Sequence, residues 1–126
     1  MELHKFEDYI REAVAEVPEK LRAAIKNLAF VVEEEVRPAH LAEQGVKYQG
    51  VLLGLYQGVP LTRRAGHFNV VLPDKITIFK ETIERIAGPD EMAIKKLIRS
   101  VVHHEIGHYF GMNEKQVREW EKKRSR

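Results

Sequence analysis

The chain has 126 residues, 44% of them hydrophobic and none of them cysteine; it can bury a core without disulfides or a structural metal, and a cysteine-rich zinc site is excluded. Charged residues reach 32% but nearly cancel to a net +2, so no nucleic-acid footprint is expected, and the basic tail Lys122, Lys123, Arg124 and Arg126 reads as a solvated helix end. Met1 to Phe6 lacks the order of a signal peptide and no apolar run is long enough to span a bilayer, which predicts a single cytoplasmic domain over 1–126 with no membrane partner.

In chain order, Leu3, Phe6, Ile10, Ala13, Val14 and Val17 make one stripe at helical spacing and predict an amphipathic helix over 3–17. Pro18 suits the first turn of a second helix carrying Leu21, Ala24, Ile25 and Leu28. The apolar run Leu28 to Val32, stopped by Glu33, Glu34 and Glu35, predicts a strand buried on both faces. Val36 to Gly50 reads as loop, punctuated by Pro38, Gly45 and Gly50, with His40 expected on the surface. Val51 to Tyr56 is the next strand. Gly58 and Pro60 interrupt it, so that end is expected to be an edge or to leave the sheet, where an extended peptide can add.

Arg63, Arg64 and His67 follow in a loop, as solvated charge or, on a sharper reading, as groups steadying an oxyanion or a substrate carboxylate. Asn69 to Leu72, Pro73-Asp74 and Lys75 to Phe79 predict a hairpin or two extended segments. Phe79, Ile83 and Ile86 then switch to helical spacing until Gly88. Asp90 is the expected N-cap of a long helix from about Glu91 to Phe110, and Glu114 to Lys123 predicts a terminal helix laid on the body through Val117 and Trp120. The predicted order is α-α-β-β-β-α-α-α.

The chemistry concentrates in HEIGHYFGMNE, from His104 to Glu114. His104 and His108 lie one helical turn apart, so both imidazoles face one point, as a zinc ion requires. They also continue the inward stripe of Ile94, Leu97 and Val101. Two buried imidazoles without polar partners would cost a few kcal/mol, and a metal removes that cost. Glu105 is offset around the helix, where it misses the metal but reaches water in an open coordination position, the place of a general base. Gly111 lets the chain leave the helix in a left-handed conformation and return toward the metal. Glu114 is then either a third ligand or the first-turn acid of a last helix, with Asn113 as N-cap and Gln116 completing a capping box. The competing reading of the whole stretch is an ordinary helix end with satisfied core histidines.

This motif resembles that of the zincin superfamily of zinc peptidases. Together with LLGLYQGVPLTRR (Leu52 to Arg64) and LPDKITIFKETIERIAG (Leu72 to Gly88), it resembles the small bacterial zincin-like metallopeptidases, sometimes called minimal metalloproteases, over about Phe6 to Val117. The resemblance implies a compact α/β (α+β) fold, a small mixed sheet of three to four strands packed with helices and an active-site helix. It implies His104 and His108 as the first two Zn2+ ligands, Glu105 as the base and Glu114 at the family's acidic position, where relatives often carry aspartate. A peptide or protein substrate follows from the same likeness. The methionine turn of metzincins has no counterpart, since twelve residues follow Glu114 and Met112 lies inside the motif. The later-helix glutamate of gluzincins would have to be Glu119 or Glu121, and the intervening chain reads as too short to bring either back. The expected function is a zinc metallopeptidase; the alternative is a weakly active or inactive zincin-fold domain that binds metal or a protein partner.

Overall fold

The computed structural model describes residues 1–42, 45–48, 50–58 and 74–124. Its organising element is the helix whose apolar stripe the sequence shows most clearly, α4 (Glu91–Tyr109), which buries Ile94, Ile98, Val101, Val102 and Ile106. Asp90 caps it, the side chain accepting from the Met92 N–H at 3.2 Å. Against it packs α1 (Leu3–Ala15), through Phe6, Ile10 and Ala13. The two are also joined by the Glu16–Arg99 ion pair and by His103, whose Nε2 donates at 2.6 Å to the Ala13 carbonyl near the end of α1. Pro18 stands just before the short α2 (Glu19–Ala24).

The strands β1 (Leu28–Glu33), β2 (Gly45–Tyr48), β3 (Val51–Gln57) and β4 (Asp74–Phe79) form one mixed sheet in the order β1-β4-β3-β2. β1 runs parallel to β4, and the other two pairings are antiparallel. With α3 (Lys80–Ala87), ended at Gly88, and α5 (Glu114–Arg124), this is the small α+β architecture expected.

Four expectations need correction. β2 falls inside the stretch read as loop; it is four residues long, opens on a glycine and is bulged between Val46 and Lys47, so it carries no periodicity to read. β3 is an inner strand of the sheet, with β2 paired to Val51–Leu55 and β4 to Gly54–Gln57; among the described residues only its end, Tyr56 and Gln57, has a partner on one side alone, and β2 is the outermost strand. β1 is half-buried along its whole length, not covered on both faces, because it is the other outermost strand. His40 is also not on the surface. It lies in a 3₁₀ turn (Pro38–Ala42), 8% exposed, edge-on to the Phe79 ring at 4.9 Å, with Nδ1 accepting from the Arg37 N–H at 2.9 Å. Pro60, Arg63, Arg64, His67 and the first half of the expected hairpin lie outside the described residues.

Two features fix the C-terminal half of α4 relative to the sheet. A Cβ at Gly54 of β3 would stand 2.4 Å from Val101 Cγ1, so the missing side chain lets strand and helix approach closely. At the end of α4, the Tyr109 hydroxyl donates to the Lys26 carbonyl at 2.9 Å and accepts from the Lys26 N–H at 3.1 Å, clamping the approach to β1 onto the helix. No helix among the described residues is long and apolar enough to cross a membrane.

Candidate metal centre

The last two turns of α4 carry His104 and His108, with ring centroids 5.0 Å apart and side chains 14% and 24% exposed. Beyond them the helix ends in a Schellman turn. Gly111, at φ 86°, donates its N–H to the His108 carbonyl at 2.9 Å, and Met112 donates to the Gly107 carbonyl at 3.0 Å. Asn113 then starts α5 with a complete capping box: the Gln116 N–H donates to Asn113 Oδ1 at 2.9 Å, and the Asn113 N–H donates to Gln116 Oε1 at 2.8 Å. This hairpin of helices is tight because Gly107 faces Val117, whose Cγ2 would lie 2.7 Å from a Cβ at that glycine.

The turn delivers Glu114, the first residue of α5, onto both imidazoles. Its Oε2 lies 3.0 Å from His104 Nε2 and its Oε1 2.9 Å from His108 Nε2. Glu114 is the first-turn acid of α5, as one of the two expected roles has it, and the same carboxylate meets both imidazoles. The ligand-type atoms of His104, His108 and Glu114 all lie within 4.8 Å of one another. Two imidazole nitrogens and a carboxylate oxygen are a zinc donor set, and ligands of a tetrahedral zinc stand about 3.3 Å apart. Each imidazole stands a few tenths of an ångström inside that spacing from one oxygen of the Glu114 carboxylate. The residues present fit the ion.

Each imidazole is also held from behind. His108 Nδ1 lies 3.0 Å from the Met112 carbonyl, and His104 Nδ1 lies 3.2 Å from Glu121 Oε1. The expectation that Glu121 could not return is corrected here: α5 folds back along α4, and Glu121, two turns beyond Glu114, stands on the same face. That seven-residue spacing was the available signal. Glu119 is exposed and takes no part in the cluster. Burial alone would lower the His104 pKa, but the hydrogen bonds to Glu121 and Glu114 outweigh it and raise the value above 6.5. Glu114 shows the converse: burial would raise its pKa, and the two histidines hold it below 4.5.

Glu105 lies outside this trio. It is 1% exposed, on the sheet side of α4, with Cγ 3.6 Å from the place a Cβ would occupy on Gly54. His103, beside the motif, belongs to the core through Ala13 and the Trp120 ring at 5.9 Å. A search of curated proteins finds no match. A family profile described as "Zincin-like metallopeptidase" matches residues 25–124, which takes in the whole sheet, α4 and α5; the chain belongs to the zincin-like metallopeptidase family.

Proposed function

We propose that the protein is a zinc-dependent hydrolase of peptide bonds, with His104, His108 and Glu114 holding the ion and Glu105 acting as general base. The observation that carries this reading is the convergence of both Nε2 atoms on the Glu114 carboxylate at 3.0 and 2.9 Å. Membership of a metallopeptidase family supports a peptide or protein as substrate. When bound, zinc supplies a Lewis acid that makes water acidic enough to attack near neutral pH and takes up charge on the carbonyl oxygen.

The chain's own residues do the rest. His104, His108 and Glu114 would hold the ion and would leave one coordination position for solvent, as in catalytic rather than structural zinc sites. Glu105 accepts a proton from water as its oxygen bonds to the carbonyl carbon, then passes that proton to the amine nitrogen as the C–N bond breaks. The burial of Glu105 against β3 restricts its rotamers, which supports a fixed rather than a mobile base. The outermost strand β2 packs beside α4, and an extended substrate would add to its outer edge by main-chain hydrogen bonds.

The test is cleavage of a library of unfolded peptides by zinc-loaded protein. Wild type should cleave; Glu105→Gln should retain zinc and lose cleavage by about 10²-fold or more. Undiminished cleavage by Glu105→Gln would reject the base. Zinc binding by the wild type without cleavage of any peptide would return the protein to the non-catalytic reading.

A further inference from the structure

The two zinc-facing imidazoles are supported differently. His108 takes its outer acceptor from the Met112 carbonyl, which the Schellman turn four residues on places beside it. His104, one turn earlier, has no chain end beside it, and its Nδ1 meets instead a side chain from another element, Glu121 of α5 at 3.2 Å. Glu121 is partly shielded, its side chain 27% exposed, and its helix is held to α4 by Val117, fully buried, and by Trp120 packed on the core.

We propose that Glu121 is a positioning residue of the metal centre: its carboxylate accepts the Nδ1–H of His104 and thereby fixes that ring with Nε2 turned to the ion. The proposal rests on the zinc-site reading above and adds a fourth protein residue to it. An imidazole that binds a metal through Nε2 must carry its remaining hydrogen on Nδ1, and a carboxylate there both orients the ring and raises its basicity toward the metal. A backbone carbonyl does the first and less of the second. The two ligands are therefore unequal, and the one nearer the middle of α4 depends on the second turn of α5. Glu114 and Glu121, seven residues apart on one face, make α5 a single bracket with a carboxylate on each side of the His104 ring.

The test combines zinc affinity, read by competition with a chromogenic chelator, with the Nδ1 proton signals of the zinc-loaded protein in proton NMR. In wild type, His104 should show a downfield Nδ1 proton in slow exchange with water. Glu121→Ala should lose that signal, keep the one from His108 and bind zinc about 10- to 100-fold more weakly. Glu121→Gln still offers an acceptor oxygen without the charge; it should keep the signal and bind with an affinity between the two. Glu119→Ala, on the exposed side of α5, should match wild type in both readouts. Should Glu121→Ala fail to fold, affinity equal to wild type in Glu121→Gln overturns the role of the charge. Unchanged affinity and an unchanged His104 proton in Glu121→Ala overturn the proposal and leave the metal site standing. A wild-type chain that takes up no zinc overturns the site itself, and the proposal with it.

Discussion

His104 carries a carboxylate on each ring nitrogen, Glu114 at Nε2 and Glu121 at Nδ1, and in the metal-free protein this favours the imidazolium. A group whose folded pKa is raised adds stability below its unfolded value and loses it as pH rises through the folded value. For His104 the first limit is 6.5. Glu114 is lowered from 4.5, so its contribution is present above that value and lost as pH falls through the depressed one. Metal-free protein should therefore hold α5 to α4 best between these two values, and its thermal midpoint should fall on the alkaline side as His104 loses its proton. Zinc competes with that proton for Nε2. Its affinity should rise with pH through the raised His104 range, and chelator competition at a series of pH values checks this; a flat profile would separate His104 from the metal. At this scale much of the site was legible. Helical periodicity places His104 and His108 on one face, and Gly111 followed by Asn113 and Gln116 signals both the turn and the new helix. Glu121 is named by the sequence but set aside by the length of the connection, whereas the four residues 110–113 between antiparallel helices are enough to return a side chain two turns along the second.

Among the elements, α5 stands closest to α4 where Gly107 meets Val117, and this contact sets where Glu114 and Glu121 arrive. A methyl at 107 would meet Val117 Cγ2 at 2.7 Å, on a β-branched side chain that is fully buried and has little freedom to yield. Gly107→Ala should cost about 1–3 kcal/mol in thermal or denaturant unfolding and weaken zinc binding by displacing α5. Adding Val117→Ala should restore part of both losses, since the added methyl then occupies vacated space, and a double-mutant cycle reads this as a coupling between the two positions. Purely additive losses would mean that the contact does not set the approach. The helices were readable because each carries a stripe over two or more turns. The sheet was less so: β2 is too short to show alternation, and β1 and β3 exchanged their expected environments because apolarity reports burial and not the order of strands.

On the scale of the whole molecule, α4 packs against α1, α3, α5 and three of the strands, whereas α5 packs chiefly on α4. The centre thus joins the best-held element to a more loosely held one. Stripping zinc should raise amide hydrogen exchange across residues 114–124 and leave the buried core of α4 protected. Equal protection of α5 with and without the ion would deny that the metal joins the two helices. The family and the mixed α+β architecture were readable from the chain: HEIGHYFGMNE carries a pattern with a physical reason for it, and LLGLYQGVPLTRR adds the resemblance. The most direct test of the account is the zinc K-edge absorption spectrum of the loaded protein. It predicts one zinc per chain with two imidazole shells and oxygen in the remaining positions, and loss of one imidazole shell in His104→Ala or His108→Ala. A zinc environment without imidazole, or one left unaltered by both substitutions, would contradict it.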